Sequence, residues 1–309
     1  MSNRSPTDGL ERNHGDTAYR SSSADDLTEG VPGVETVPPV VFAIRFSVLE
    51  RNVKNKYRRQ AKSESFEDYK KTLFSQERLD RRFHSLVNVT LSSIAGQSDT
   101  RSTHVLIYTS EHLPEKYLSA LRDTKTRFPF VEIITVSEDE KLDFDENLKK
   151  TCKRLSAQLY AHVRMDDDDA VARHFVERLR GYVQPHNIGY AISFGRGVAG
   201  EYDPPSGKYT GFFEFYRAKS VGLALVGGFD LDRSDFLSLP AGAFGLGAHS
   251  RADRRCPVIL DSRETSFIYS IHPDQDSVEN NSGRRSGFGN ELSDEKIQEL
   301  FALDASCLP

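Results

Sequence analysis

Apolar and polar positions along residues 39–182 fall into blocks that alternate between a strand-like and a helix-like texture. Residues 40–49, VVFAIRFSVL, form a nearly continuous apolar run and read as a buried first strand. Residues 50–76 are strongly charged, with basic residues clustered at 51–62 around Tyr57, and read as a solvated loop and helix. From 77 to 94, Leu79, Phe83, Leu86, Val87, Val89, Leu91 and Ile94 suit an amphipathic helix. A second strand follows at 103–109, and Pro114 marks a helix start with Tyr117, Leu118 and Leu121 at helical spacing. A third strand is expected at 131–136. Residues 144–159 carry Leu148, Cys152, Leu155 and Leu159 on one stripe, and a fourth strand at 160–165 precedes a helical pattern at 170–182.

Alternating strands and helices predict βαβ units, hence an α/β fold with a mixed, mainly parallel sheet covered by helices. The texture changes after Gly181. Residues 188–194 and 211–218 look like strands, separated by the turn-rich 203–207, and 221–229 is apolar and Gly-rich, either strand or tightly packed helix. The second half is expected to continue the same sheet. Residues 1–38, rich in Ser, Asp, Gly, Arg and Pro, read as a disordered tail, and 276–309 as a loose tail with a short helix at 294–303. One domain over 39–275 is left between them.

A net charge of −5 argues against a general nucleic-acid or lipid binder, because phosphate-rich partners demand a basic face. Cys152, Cys256 and Cys307 are scattered, with no CxxC pair, which fits a reduced protein without a zinc site. No apolar run spans a bilayer and no signal peptide pattern opens the chain, so a cytoplasmic location is expected.

The chemistry concentrates at Arg164-Met165-Asp166-Asp167-Asp168-Asp169-Ala170. Four consecutive carboxylates repel one another, and a divalent cation with hard oxygen ligands would relieve them. A solvated acidic turn capping the next helix would also account for them. In open α/β sheets ligands bind at the carboxyl ends of strands, where this cluster sits. Alternation along extended chain lets Asp166 and Asp168 share one ligand while Asp167 faces elsewhere, and Asp169 is placed to cap the following helix.

Together with Arg45-Phe46-Ser47-Val48-Leu49, this cluster resembles the rhamnosyltransferase family of bacterial polysaccharide gene clusters, over residues 40–275. Met165 stands where that family's motif has Leu, and the chain has no Trp. The resemblance implies a GT-A-like, Rossmann-like domain with the nucleotide-sugar half reaching to about residue 170 and the acceptor half after it. It implies transfer of a sugar, rhamnose by the family's name, from a nucleotide-sugar donor to a glycan or lipid-linked glycan. It further implies Mn2+ or Mg2+ as cofactor, held by Asp168, with Asp166 contacting the donor's ribose or the metal through water.

Arg45, near the end of the first strand, and Arg164 are candidates for the donor's diphosphate, since a guanidinium forks onto such groups; surface ion pairs are their alternative. His272 follows a strand-like 267–270 and is a candidate third metal ligand, with His249 in a Gly-rich loop competing for that role. An inverting transferase needs a carboxylate base for the acceptor hydroxyl. Among Glu201, Asp203, Glu214, Asp230, Asp232 and Asp253, the better placed are Asp230, after the apolar 221–229 run, and Asp253, near His249. The basic run at 51–62 could meet an anionic acceptor. Two rivals remain: a nucleotidyltransferase acting on a sugar phosphate, and a non-catalytic carbohydrate- or calcium-binding module. The first normally carries a Gly-rich basic loop after its first strand. The second lacks here an Asp-x-Asp-x-Asp-Gly loop with a distal Glu.

Overall fold

The first apolar run folds as β1, Val40–Phe46, with parallel neighbours β2, Thr103–Ser110, and β4, Leu159–Met165. β3, Val131–Val136, extends the sheet beyond β2. A side-chain period of two divides β1 between two cores. Val40, Phe42, Ile44 and Phe46 join a core on one face, Val41 and Ala43 one on the other. The computed structural model describes residues 37–51, 65–217, 221–272 and 287–308. The expected tail at 1–38 and the basic run at 51–62 with Tyr57 therefore lie almost wholly outside the described residues, which belong to one unit, Glu35–Pro309.

Helices cover both faces of the sheet. α1, Phe66–Leu73, is capped by the Ser65 hydroxyl. α2, Gln76–Ser85, runs through a π-helical segment, Leu86–Leu91, into α3, Ser92–Ala95. These and α4, Glu115–Arg127, press Leu79, Leu86, Leu91, Tyr117, Leu118 and Leu121 into the first core. α5, Phe144–Leu155, puts Leu148 and Cys152 into the second. The helix spacing read from the sequence is thus the spacing used.

The second half adds β6, Ala191–Phe194, β9, Ala224–Asp230, β10, Asp235–Phe236, and β11, Val258–Asp261, to this sheet. Its order is β11-β6-β9-β4-β1-β2-β3, with β10 paired to β9. β9 alone runs against the rest. The fold class is as expected, α/β with a mainly parallel sheet between helices. The expectation of one continuous sheet is corrected. β5, Ala170–Val171, β7, Arg196–Asp203, β8, Lys208–Tyr216, and β12, Phe267–Ile271, make a second sheet in the order β5-β12-β7-β8.

Two further departures have local causes. The helix expected from 170 starts only as α6, Phe175–Arg180, because Ala170 and Val171 pair with Ile268 and Phe267 of β12. The terminal segment is not loose: α7, Asp294–Leu300, buries Ile297, and Phe301 and Cys307 beyond it pack beneath the second sheet.

The glycines at 227 and 228 answer the strand-or-helix question for 221–229. Gly227 pairs with Tyr160 across β4 and β9, and a Cβ at 227 would overlap the Tyr160 ring. That ring cannot swing aside without breaking the bond its hydroxyl donates to Ala241 O at 2.9 Å. Gly227→Ala is therefore expected to cost about 1–3 kcal/mol by overpacking. It should lower the urea midpoint at constant slope, and an unchanged midpoint would refute the packing account.

Candidate functional site

β1, β2, β3, β4, β6 and β11 all end on one edge of the main sheet, and the reversed β9 begins there. The aspartates occupy that edge immediately after β4. Asp166 is exposed, whereas Asp167, Asp168 and Asp169 are buried. A buried carboxylate needs a partner or a proton, and each of the three is served by a different group.

Asp167 is gripped by Arg82 of α2. The guanidinium donates from Nε to Oδ2 at 2.9 Å and from Nη2 to Oδ1. Burial pushes the Asp167 carboxyl up to about 6 against the pull of that charge. Asp168 places Oδ2 2.9 Å from His272 Nε2, with Arg82 Nη1 at 3.9 Å. Burial raises the Asp168 carboxyl, but the His272 hydrogen bond and the Arg82 charge outweigh it and hold it below the usual range. Asp169 accepts from the Ser270 amide at 3.0 Å. Burial, then the charge of Asp168, push its carboxyl well above the usual range. The expected helix-capping role of Asp169 is thus corrected: α6 starts six residues later with His174 at its cap position. Ser270 also donates its hydroxyl to Asp168 O and lies 2.7 Å from the Tyr209 hydroxyl.

β4 organises the opposite face too. Tyr160, His162 and Arg164 alternate with the first-core residues Ala161, Val163 and Met165, so they share the other side of the strand. Each holds the backbone of one loop. Tyr160 donates to Ala241 O, His162 Nδ1 accepts from Ala243 N, and Arg164 Nη1 donates to Gly247 O, all at 2.9 Å. Phe244 of this loop stacks on Phe144 at 3.9 Å and lies under both guanidiniums, Arg45 at 5.3 Å and Arg164 at 4.9 Å. The two sequence-selected arginines are thus side by side on one ring. The same loop delivers His249, whose imidazole is driven down to about 4 by burial and then by Arg164, while Asp166 acts in the opposite sense.

Of the predicted site residues, the structure brings Asp168 to His272, Arg45 to Arg164, and His249 into the field of Asp166. Asp253 is exposed on the 3-10 helix His249–Arg254. Asp230 is not brought in. It ends the reversed β9, whose Gly228 pairs with Leu159 at the start of β4, so it lies at the far edge of the sheet and accepts from Arg233 N in a local turn. Arg82, Ser270, Phe244 and His162 escaped sequence reasoning. Arg82 sits 85 residues from its partner, and nothing in the local pattern of α2 marks it out.

Among the described residues no three His, Cys, Asp or Glu side chains are grouped to enclose a metal. Asp168 and His272 fit a different arrangement, in which Mg2+ or Mn2+ takes one or two protein ligands and completes its shell from substrate phosphates and water.

His162 gives a pH test of this architecture. It is fully buried, and burial drives its imidazole down to about 4, so it folds neutral. Between the unfolded value near 6.5 and 4 the unfolded chain binds the extra proton, so stability is lost as pH falls through that window, by about 3 kcal/mol from this group. Asn places an amide oxygen where Nδ1 accepts from Ala243. His162→Asn is expected to lose about 3 kcal/mol less than wild type between pH 6.5 and 4 in urea titrations. Equal losses would remove His162 from the account.

Structural likeness to solved proteins is weak in detail. S. aureus TarS residues 1–349 align at TM-score 0.37 with 9% identity, covering 75% of this chain and 60% of that one. Full-length S. aureus TarS aligns at 0.35 with 10% identity, covering 78% and 38%. The Pyrobaculum calidifontis mannosyltransferase PcManGT, in complex with GDP-Man and Mn2+, aligns at 0.38 with 12% identity, covering 81% and 63%. The chain thus spans less than two thirds of the length of each. No curated protein matches it. The family model described as "Putative rhamnosyl transferase" matches residues 39–284, from the start of β1 to beyond His272, and the chain belongs to that family of glycosyltransferases.

Proposed function

We propose that the protein is a metal-dependent glycosyltransferase that moves a sugar, rhamnose in keeping with the family's description, from a nucleotide-sugar to a glycan acceptor. The observation that carries this reading is the Asp168–His272 pair at the carboxyl edge of the sheet, beside two arginines packed on Phe244. A nucleotide-sugar leaves behind a diphosphate, and a bound dication would neutralise the charge that develops on it. Asp168 and His272 would hold that ion, with the exposed Asp166 beside it toward the nucleotide.

Arg45 and Arg164 are aligned for the diphosphate. β1 and β4 pair Ala43 with Arg164 and Ile44 with Met165, so Arg45 stands one step beyond, level with the start of the aspartates. Their Cζ atoms lie 5.3 and 4.9 Å from the centroid of Phe244, so the two cations gather on one ring, and a guanidinium forks onto phosphate oxygens. Neutral His249 can offer a hydrogen bond there without adding charge. Asp253, on the same segment, is the carboxylate we assign as base for the acceptor hydroxyl.

Thermal unfolding with Mn2+ and a panel of nucleoside diphosphates tests the donor side. The matching nucleotide should stabilise the wild type by about 3 kcal/mol at a hundredfold excess over its Kd. Asp168→Asn and His272→Ala should each weaken the Mn2+-dependent part by roughly 10–100-fold in affinity. If no nucleotide stabilises the protein with Mn2+ present, the transferase reading is wrong. With the donor identified, Asp253→Asn should cut turnover by about 10²–10⁴-fold while Asp230→Asn leaves it intact. Unchanged turnover in Asp253→Asn would remove Asp253 as the base.

A further inference from the structure

Tyr216, at the end of β8, is 59% exposed, and Leu260 of β11 is 43% exposed; they are two of four exposed large apolar side chains among the described residues. They come together over Gly195, just past β6. A Cβ at 195 would lie 3.2 Å from Tyr216 Cε2 and 3.0 Å from Leu260 Cδ1, and would overlap the Ser262 hydroxyl. The absent side chain is what lets a tyrosine ring, a leucine and a hydroxyl converge on the surface. Isolated exposed apolar residues need no explanation, but a contiguous patch beside a reactive site does.

This patch lies on the same edge of the main sheet as the aspartates, because Gly195 and Ser262 follow the ends of β6 and β11. Arg217, the next residue, donates its amide to Gly195 O at 2.8 Å and lays its guanidinium over the Tyr269 ring at 5.6 Å. Its charge also acts on His249, which feels Asp166. The patch therefore borders the edge where the reacting centre of the donor would lie, on the side built by the second half of the chain.

We propose that Tyr216, with Leu260, Arg217 and Ser262 around Gly195, binds a pyranose ring of the acceptor. The proposal rests on the glycosyltransferase reading above. A pyranose has an apolar face of axial C–H groups and a rim of hydroxyls. A tyrosine ring matches the first through its electron-rich face, and a guanidinium and a hydroxyl match the second. An aliphatic or aromatic ligand would make no use of Arg217 and Ser262, and a purely anionic one no use of Tyr216 and Leu260.

Saturation-transfer NMR on the full chain tests this, using methyl glycosides of glucose, galactose, mannose and rhamnose and short oligosaccharides of each. At least one should receive saturation on its axial C–H protons. Tyr216→Ser should weaken that binding at least tenfold, and Tyr216→Phe, which keeps the ring, should retain it. The thermal shift with Mn2+ and nucleoside diphosphate should be the same in all three proteins, which also shows that Tyr216→Ser is folded. If no saccharide shows a Tyr216-dependent signal, the proposal is overturned even where nucleotide binding stands. Tyr216-dependent self-association without saccharide dependence overturns it in favour of an interface between copies. Tyr216-dependent saccharide binding without any thermal shift from Mn2+ and nucleoside diphosphates would retain the subsite while removing the donor reading.

Discussion

Three consecutive carboxylates are buried at the end of β4, and the molecule is arranged to tolerate them. Removing one unpaired charge from water costs several kcal/mol, so each aspartate fixes a partner from elsewhere in the chain. Arg82 ties α2 to Asp167, His272 ties β12 to Asp168, and the Ser270 amide ties the same strand to Asp169. These bonds help dock the second sheet onto the first, beside the packing of Val171 and Phe267 in the first core. β5 begins one residue after the cluster and pairs with β12.

β4 is used on both sides and at its end. One face packs Ala161, Val163 and Met165 into the first core, while the other anchors the 241–247 loop through Tyr160, His162 and Arg164. Such a loop cannot drift relative to the aspartates without breaking three hydrogen bonds spaced along one strand. The geometry of His249 against Asp166 is therefore set by the same backbone that carries the carboxylates. Reversal of β9 completes this design. Being antiparallel, it sends the chain away from the site to Asp230 and back through the loop, and Gly227 makes room for the tyrosine that anchors the return.

How much of this was legible follows from the range of the interactions. Strands β1 to β4 and helices α2, α4 and α5 were readable because their apolar periods, 2 and 3.6, are local properties of segments that bury one or both faces. β7 was not, since Gly197 and Gly200 interrupt its apolar pattern; their missing side chains make room for the rings of Phe267 and Tyr209. The 170–182 pattern misled because Val171 meets the first core as a strand residue, and its pairing with Phe267 is nearly a hundred residues distant. In the site, Asp168 and His272 could be nominated by type and position. Asp230 shows the limit of that method: an acidic residue after an apolar strand was a fair candidate, but only the direction of β9 tells at which edge it emerges.

The folded chain supplies its own partners for the aspartates. From the sequence, mutual repulsion of four aspartates called for a cation to relieve it. In the folded chain that repulsion is met from within: Arg82 neutralises Asp167, Asp169 is driven toward its neutral form, and Asp168 has His272. Only Asp166 stands in water. A dication is therefore not required to hold the cluster together, and the case for one rests on the leaving group of the proposed reaction. The consequence is structural as well as chemical. Side chains already paired in this way hold the shape of the edge by themselves, and an ion held as proposed by Asp168 and His272 would take the place of the hydrogen bond between them.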